Sequence, residues 1–511
     1  MKLICLFFLW FVPVALAAEP VEKLYATHCA SCHGADRLGG AGPALLPENL
    51  ERLRRPEAIK TIAEGRVASQ MAGFAEKLSK EDIEALTGLI YTALPQVPVW
   101  GEKEISASHI RVAGAMSDKP IFKADPLNLF VVVELGDHHA TILDGDKFEP
   151  ITRFQTRFAL HGGPKFSPDG RYVYFASRDG WISKFDIYNL KIVAEIRAGI
   201  NSRNLAVSGD GKTILVGNYL PHTLVLLKAD DLSLIKIIEA VGQNGKSSRI
   251  SAVYQAEPRG SFIAALKDVK EVWEIPYAVQ KSNWQQSFDP ASVDMVVREK
   301  TFPVRRISVD DYLDDFFFDQ TYQHLISTAR DSKKGHVLDL DTGKKVADLD
   351  LPGMPHLGSG ITWNYQGHPV MATPNTKEGL VTVIDMQTWQ TIKQIQTPGP
   401  GFFMRSHENT PYAWTDGFAT GNPLSRDTMT LIDKNTLEVA HILRPEPGKT
   451  AAHVEFTRDG KYVLVSIWEM DGALVIYDAQ TLKEVKRIPM CKPSGKYNVY
   501  NKITRSAGTS H

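Results

Sequence analysis

Three stretches of the chain share one form, an Asp-Gly turn followed by an apolar run. They are FSPDGRYVYFAS, starting at residue 166, VSGDGKTILVGN at 207 and FTRDGKYVLVSI at 456. Asp-Gly between two β-forming runs predicts a tight hairpin, because glycine tolerates the positive φ that such a turn needs. The first two stretches start 41 residues apart, which is close to the repeat length of a propeller blade.

A second recurring piece is a strand that ends in an Asp-containing turn. Examples are WISKFDIYNLKIV, TLVLLKADDLSLIK and ALVIYDAQTLKEV, and matching pieces occur at HVLDLDTGKKV, LVTVIDMQTWQTI and MTLIDKNTLEV. Turn residues interrupt every run, which argues against helices, and a β-sandwich would not give this repeat. Residues 111–505 are therefore predicted to form an all-β propeller of seven or eight blades, with eight favoured.

The motif CASCH, residues 29–33, could bind zinc, form a redox disulfide or hold a haem. C-x-x-C-H is the attachment signature of c-type haem, in which the two thiols, here Cys29 and Cys32, add to the vinyl groups and His33 ligates the iron. A zinc site would need a second ligand pair, and a thioredoxin-like motif would need a βαβ setting. Neither is present in the sequence, so the motif predicts one covalent haem c.

The sequence around this motif reads helix, loop, helix. The last helix, in SKEDIEALTGLIYTAL, has apolar residues at helical spacing and Ser79 as its expected N-cap. Residues 18–100 resemble a small all-α class I cytochrome c domain. The sixth iron ligand of such domains is usually a methionine before the last helix, and Met71 fits, although Ala72 follows it where proline is common. The alternative is that Met71 packs in the core, and His28 is expected to face solvent.

The N-terminal residues, the charge and the cysteine count limit where the protein can act and what it can bind. Residues 1–17 contain an apolar run and end in a small-x-small pattern, which predicts a cleaved signal peptide and an exported, periplasmic protein with no membrane span; an uncleaved anchor is the alternative. Lys plus Arg number 58 against 59 Asp plus Glu, so charge indicates no nucleic-acid partner. The four cysteines, which include Cys5 and Cys491, are too few for a disulfide framework. Residues 101–110 are predicted to be a linker.

Three histidines stand apart from the propeller repeats. His161 and His453 lie just ahead of strands that open a blade, and His356 lies in a Gly/Pro loop, LPGMPHLGSG. Four arginines accumulate near the first of them, namely Arg153, Arg157, Arg178 and Arg203. Because guanidinium groups clamp carboxylates, an iron-bearing ligand with several carboxylates would explain both sets. The alternative is structural histidines, with surface arginines that pair with aspartates.

The stretch VDDYLDDFFFDQ, residues 309–320, surrounds three consecutive phenylalanines with five carboxylates. Apolar neighbours can raise a carboxyl pKa and prepare the group for proton transfer. The alternative is a strand that packs Phe inward and leaves Asp outside. The five carboxylates are those of Asp310, Asp311, Asp314, Asp315 and Asp319.

A cytochrome c domain joined to a propeller that contains FALHGGPKFSPDGRYVYFASRDG and MPHLGSG resembles the cytochrome cd1 nitrite reductase superfamily. Within it, RLGGAGPALLPENL, DPLNLFVVVELGDHHATILDGD and DYLDDFFFD are most similar to the branch that acts in the last step of haem d1 biosynthesis. The resemblance implies a periplasmic oxidoreductase that converts a propionate of dihydro-haem d1 into the acrylate of haem d1.

By that resemblance, His161 is the proximal ligand of the d1-type iron, and His356 is a distal ligand or distal-pocket residue. Asp314 stands where the nitrite reductases have a second distal histidine, which argues against efficient nitrite reduction. The chemistry needs a base and a fixed carboxylate, for which we expect His453 as base. Arg153, Arg178 and Arg203 are the expected carboxylate clamps.

Two rival functions remain open from the sequence. One is a cd1-type nitrite reductase, and the other is a carrier that hands haem d1 to nitrite reductase unchanged. The covalent haem favours oxidation over simple carriage, because a carrier has little use for a redox centre. The expected partners are the dihydro-haem d1 substrate, an external electron acceptor and, transiently, nitrite reductase.

Overall fold

The computed structural model describes residues 19–40, 42–51, 53–65, 71–96, 98–161, 163–278, 301–329 and 334–505. The predicted signal peptide, with Cys5, lies outside the described residues. The chain forms two compact units, one of residues 1–65 and 72–93, the other of residues 94–511 together with 66–71. The helices are α1 (Val21–His28), α2 (Ala30–His33), α3 (Pro47–Leu50), α4 (Arg55–Glu64), α5 (Lys80–Ile90), α6 (Glu102–Ala107) and α7 (Val499–Thr504).

The first unit is a small helical domain around the CASCH motif. Helices α1 and α4 pack on α5 and bury Leu24, Ile62 and Leu86. Ser79 caps α5 as expected, because its hydroxyl accepts a hydrogen bond from Asp82 N at 3.1 Å. The Tyr25 hydroxyl donates to the carbonyl of Gly34 at 2.8 Å, which ties α1 to the residue that follows the motif.

The second unit contains eight four-stranded antiparallel blades, as favoured from the sequence. A short strand β1 (Ile110–Arg111) adds to the outer edge of blade 2. The strands of blades 1 to 4, after β1, are β2 (Leu129–Glu134), β3 (His139–Asp144), β4 (Pro150–Gln155); β5 (Lys165–Phe166), β6 (Tyr172–Ala176), β7 (Trp181–Asp186), β8 (Lys191–Arg197); β9 (Asn201–Val207), β10 (Thr213–Leu220), β11 (Thr223–Lys228), β12 (Leu234–Glu239); β13 (Ile250–Ala256), β14 (Ser261–Leu266), β15 (Glu271–Pro276), β16 (Arg305–Ser308).

Blades 5 to 8 repeat the same order, and the last strand of the chain closes the ring. These strands are β17 (Leu313–Phe318), β18 (His324–Ala329), β19 (Lys334–Asp339), β20 (Lys344–Asp350); β21 (Ile361–Tyr365), β22 (His368–Pro374), β23 (Leu380–Asp385), β24 (Thr391–Gln396); β25 (Met404–Arg405), β26 (Tyr412–Asp416), β27 (Met429–Asp433), β28 (Val439–Leu443); β29 (Ala451–Phe456), β30 (Tyr462–Ile467), β31 (Gly472–Asp478), β32 (Glu484–Met490) and β33 (Pro493–Asn498). Strand β33 pairs with β2 and becomes the inner strand of blade 1.

The two recurring turns explain why the repeat could be seen in the sequence. At the three Asp-Gly turns, between the first and second strands of blades 2, 3 and 8, Gly170, Gly211 and Gly460 have φ of 75°, 69° and 71°. The second recurring turn joins the third and fourth strands of a blade. An aspartate at the end of the third strand accepts hydrogen bonds from backbone N–H groups of this turn. Asp385 Oδ1, for example, accepts from Gln387 N at 2.7 Å and Thr388 N at 2.9 Å.

Apolar clusters fill the spaces between neighbouring blades, so both faces of a blade are buried. Strand β10, TILVGNYL, is buried along its whole length, whereas the outer strand β32 alternates with solvent. Part of the predicted linker is also ordered, because Ile105 of α6 is fully buried against blades 2 and 3. Among the described residues, no helix combines the length and apolarity that a membrane span requires.

Candidate functional site

The CASCH motif presents its histidine in the form that binds iron. His33 Nδ1 lies 2.8 Å from the carbonyl of Pro43, and a carbonyl only accepts, so Nδ1 carries the proton and the lone pair is on Nε2. Burial lowers the pKa of His33, which favours the neutral ring. The thiols of Cys29 and Cys32 are free, and a Cβ on Gly42 would lie 2.7 Å from the His33 ring. These residues fit a covalent haem.

Two further predictions concern the same domain. Met71 is half-buried in the segment before α5 and remains the predicted sixth ligand. His28 does not simply face solvent, because its ring packs edge-on against Phe74 at 5.9 Å between centroids. Within the described residues, no group of three or more His, Cys, Asp or Glu side chains is arranged to hold a bare metal ion.

The propeller has two distinct channel ends. Every blade repeats the same antiparallel order outward from the channel, so all inner strands run in one direction and begin at one end. We call this the histidine end, because His161 precedes β5, His356 precedes β21 and His453 lies near the start of β29. The other end, where the inner strands finish and α7 lies, is the helix end.

His161 is held by the neighbouring blade. Its Nδ1 lies 2.7 Å from the carbonyl of Arg203, so the lone pair is again on Nε2. The Arg203 guanidinium donates to that Nε2 at 3.0 Å and to the carbonyl of Ser251 at 2.9 Å. This arrangement fixes the orientation of the ring and places the Arg203 guanidinium at the nitrogen that an iron would take.

His356 repeats this pattern on the opposite side of the ring. Its Nδ1 lies 2.8 Å from the carbonyl of Phe402, so Nδ1 carries the proton and the lone pair is on Nε2. His161 belongs to blade 2 and His356 to blade 6, four blades apart in a ring of eight, so the two histidines approach the channel from opposite sides. A flat tetrapyrrole that stood between the two histidines could be coordinated from both faces.

An aromatic cluster, formed by Phe402, Phe403 and Phe418, connects His356 with His453. The rings of His356 and Phe402 lie 4.0 Å apart between centroids, and those of Phe403 and His453 lie 4.8 Å apart. Such half-exposed rings offer stacking surfaces for a large π system. The sequence GPGFFMRS, with two consecutive phenylalanines in a Gly/Pro loop, could have indicated this aromatic cluster, but the sequence analysis did not identify it.

His453 differs from the ligand-type histidines. It has φ of 51° and lies in a β-bulge of β29, a deviation that aims its side chain. The ring is 2% exposed, and its Nδ1 has no hydrogen-bond partner in the described part of the chain. Burial, followed by the charges of Lys496, Arg405 and Lys502, lowers the pKa of His453 well below its usual value. His453 is therefore a neutral ring with an unsatisfied nitrogen, as a proton acceptor requires.

Tyr497 is a second candidate that sequence reasoning missed. Its ring packs on His453 at 5.3 Å between centroids, from the inner strand of blade 1. Glycines make room for the phenol, because a Cβ on Gly163 would lie 3.1 Å from its oxygen and one on Gly495 would collide with it. Burial raises the pKa of Tyr497 to about 12, so it is neutral at pH 7. No local pattern in GKYNVY marks it.

Asp416 organises the loops around these groups. Its carboxyl group accepts backbone N–H groups from Phe402 at 2.7 Å, Phe403 at 3.2 Å and His453 at 3.2 Å. Burial raises the pKa of Asp416 to about 7, against the effect of these donors and of Lys496. One buried carboxyl thus positions the aromatic cluster and the bulge together.

The four predicted arginines separate into two pairs. Arg153 lies on the outer strand β4, where its Nε and Nη2 donate to the two oxygens of Glu134 at 3.1 and 3.2 Å and where it also pairs with Asp137. Arg157 binds Glu195 through two hydrogen bonds and stacks on a tryptophan. Arg178, by contrast, is half-buried at the histidine end, where its backbone bonds to Ala159 and Ser202. Arg178 and Arg203 therefore lie near His161, and the other two are engaged elsewhere.

The five aspartates of the Phe-rich stretch have different surroundings. Asp314 pairs with Lys267 at 2.9 Å. Asp315 accepts the Tyr254 hydroxyl at 2.9 Å and Gly358 N at 3.0 Å, which anchors the loop that carries His356. Asp310, Asp311 and Asp319 pair with Lys345, His336 and His324, and the rings of Phe316, Phe317 and Phe318 are all buried.

A cavity of about 620 Å³ lies toward the helix end. Lys165, Tyr254 and Tyr497 line it from inner strands, and Lys502 and Arg505 line it from α7 and the residue after it. Tyr497 therefore links this helix-end cavity to His453, the candidate proton acceptor, because it lines the cavity and its ring contacts that histidine. Sequence reasoning identified none of its lysines.

The fold and the paired histidines define a class, an iron-tetrapyrrole oxidoreductase with a c-type cytochrome module. The model for the cytochrome D1 heme domain matches residues 124–502, and that for cytochrome c oxidase, cbb3-type, subunit III matches residues 16–90. The chain therefore belongs to the cytochrome D1 heme domain family, in the group that contains dihydro-heme d1 dehydrogenase.

Individual relatives agree with this assignment. The dihydro-heme d1 dehydrogenase of Pseudomonas aeruginosa is 56% identical over 98% of this chain and 97% of its own length. A solved structure of dihydro-heme d1 dehydrogenase NirN in complex with DHE superposes with a TM-score of 0.89, at 56% identity, over 95% of this chain and 100% of that one. The nitrite reductase of Stutzerimonas stutzeri is 25% identical over 94% of this chain and 92% of its own.

Proposed function

We propose that this protein is an oxidoreductase that dehydrogenates a propionate side chain of dihydro-haem d1 to an acrylate. The observation that carries the proposal is the pair of opposed histidines with their Nε2 lone pairs directed away from backbone carbonyls, beside a neutral histidine with an unsatisfied nitrogen. The 56% identity to a dehydrogenase of that name supports the choice of substrate.

The reaction removes two hydrogens from adjacent carbons, so –CH2–CH2–COO⁻ becomes –CH=CH–COO⁻ with the release of two protons and two electrons. His161 and His356 hold the substrate iron from opposite faces, and the aromatic cluster supports the macrocycle. His453 accepts a proton at its free nitrogen, and the neighbouring cations make the protonated ring costly. The proton then passes on through Tyr497, whose ring contacts His453.

The covalent haem supplies one-electron redox chemistry when bound to Cys29, Cys32 and His33. Two electrons leave the substrate, so an external one-electron acceptor, such as an oxidised c-type cytochrome, takes part in each turnover. We place the reaction in the periplasm, because residues 1–17 have the pattern of a signal peptide. A transient complex with nitrite reductase would receive the product.

Conversion of dihydro-haem d1 tests the proposal against its alternatives. We expect the purified protein, with ferricyanide as acceptor, to yield a tetrapyrrole two mass units lighter. Tight binding with unchanged mass would instead identify a carrier. Nitric oxide formation from nitrite with a reduced donor would identify a nitrite reductase.

A further inference from the structure

Lys165 lies on the inner strand of blade 2, four residues after His161 in the sequence. Its side chain lines the helix-end cavity. Its ammonium group donates no hydrogen bond to any residue in the described ranges, and its nitrogen lies 5.7 Å from the centre of the Tyr254 ring. Three ammonium donors therefore face the cavity without a protein acceptor.

Two acidic groups nearby, Asp315 and Glu455, already accept hydrogen bonds from other donors. Asp315 accepts from the Tyr254 hydroxyl and from two backbone N–H groups, those of Phe316 and Gly358. Glu455 accepts from Phe456 N at 3.0 Å and from the side chain of Asn501 at 3.3 Å, and lies 3.8 Å from Arg405. Neither carboxylate bonds to Lys165.

Lys165 has further charged neighbours in this part of the channel. Arg405 on β25 and Lys502 on α7 are each within electrostatic range of Lys165, and all three approach Glu455 or Asp315. Lys496 is fully buried and donates to Ser466 Oγ at 2.8 Å and to the carbonyl of His453, and burial lowers its pKa well below the usual value. A buried ammonium group such as that of Lys165 needs an acceptor or a counter-charge, because desolvation is costly without one.

We propose that Lys165 binds a carboxylate, or a small anion of similar chemistry, in the helix-end cavity beneath Tyr497. Two sources of that group are compatible with the cavity. One is the carboxylate of the substrate propionate that reacts beside Tyr497, and the other is a free small carboxylate. The first source deepens the proposed function and rests on it, and the second does not.

Acetate is the probe that separates the site from the reaction. Thermal unfolding of the full-length protein with its covalent haem is followed at constant ionic strength while acetate is raised. We expect the Tm of the wild-type protein to rise with acetate and to saturate, because a ligand that binds only the folded state stabilises it. Lys165→Met should abolish the rise, and Lys165→Arg should retain part of it.

Lys212→Met is the matched control, since Lys212 is an exposed lysine on the turn after β9 and does not line the cavity. It should behave as the wild type. Equal Tm rises in wild type and Lys165→Met, or no rise in the wild type, would overturn the proposal.

A second experiment identifies the source of the carboxylate. Titration with dihydro-haem d1, followed by absorption, should give a Kd about tenfold higher for Lys165→Met if the substrate carboxylate binds there, as expected for loss of a charge-assisted hydrogen bond. An unchanged Kd with a lost acetate effect would assign the site to a free anion. The acetate experiment tests the anion site even if the wild type converts no dihydro-haem d1.

Discussion

At the scale of single residues, the same hydrogen bond recurs at three histidines. His33, His161 and His356 each donate Nδ1–H to a backbone carbonyl, at 2.7 to 2.8 Å, and so present Nε2. His453 lacks such a bond and has an unsatisfied Nδ1 instead. The hydrogen-bond partner thus distinguishes the three histidines that we predict to be iron ligands from the one that we predict to accept a proton.

Replacement of His161 should weaken substrate binding. We expect His161→Ala to raise the Kd for dihydro-haem d1 at least tenfold and to change the absorption of the bound tetrapyrrole, because the iron loses a ligand. Titration followed by absorption measures both. His441→Ala is the control, since His441 is an exposed residue on the outer strand β28. Equal affinity in His161→Ala and the control would remove His161 from the site.

Replacement of the proton-handling pair should slow turnover without weakening binding. Tyr497→Phe keeps the ring on His453 and removes only the hydroxyl, so we expect kcat to fall about 100-fold, in the range for lost acid–base catalysis, with Kd unchanged. His453→Ala should also lower kcat. Single-turnover rates and equilibrium titrations separate the two effects. If His453→Ala converted substrate at the wild-type rate, His453 would not be the base.

At the scale of elements, a buried aspartate stabilises a turn that recurs around the ring. In Asp385, burial acts to raise the carboxyl pKa, but the N–H groups of Thr388 and Gln387, together with His368, lower it overall. A lowered pKa means that the folded state favours the carboxylate. The stabilisation is therefore present above the unfolded pKa of about 4 and is lost as pH falls through the folded value.

Replacement of Asp385 should measurably lower the stability of the protein. Asp385→Ala should lower the free energy of unfolding by about 1 kcal/mol at pH 7, because two N–H groups lose their acceptor. The difference from wild type should shrink as pH falls from 5 to 3. Urea unfolding at several pH values measures it. A difference that is independent of pH would show that the charge of the carboxylate plays no part.

The elements also show where sequence reasoning succeeded and where it could not. Blade strands and Asp-Gly turns were predictable because their signals are local and periodic. The strand order within a blade is not local, so Arg153 was expected at the site although it lies on the outer strand β4. Tyr497 and Lys165 were missed because ring closure brings together residues that are distant in sequence and carry no motif.

At the scale of the whole molecule, ring closure joins the two ends of the second unit. Strand β33 supplies the inner strand of blade 1, and α7 lies at the end of the channel where Lys502 lines the cavity. The Asn498 side chain donates to that of Asn128 at 3.1 Å, and Val499 is fully buried beside blades 1 and 2. The last residues thus complete both the fold and the cavity.

Removal of the closing strand should destabilise the whole propeller. A chain that ends at residue 492 loses β33 and α7, and we expect it to lose cooperative thermal unfolding. A chain that ends at residue 505 keeps both elements and is the control. Circular dichroism during heating distinguishes them, and a cooperative transition at the wild-type Tm in the shorter chain would show that closure is dispensable.

The central claim is that this chain removes two hydrogens from its bound tetrapyrrole and passes the two electrons, one at a time, through its own covalent haem to an external acceptor. The most direct measurement is an anaerobic incubation of dihydro-haem d1 with at least two equivalents of the oxidised protein, which supply two one-electron acceptors, followed by the absorption of the c haem and the mass of the extracted tetrapyrrole. We expect the c haem to become reduced while the tetrapyrrole becomes two mass units lighter. A bound tetrapyrrole of unchanged mass beside a c haem that stays oxidised would contradict the claim.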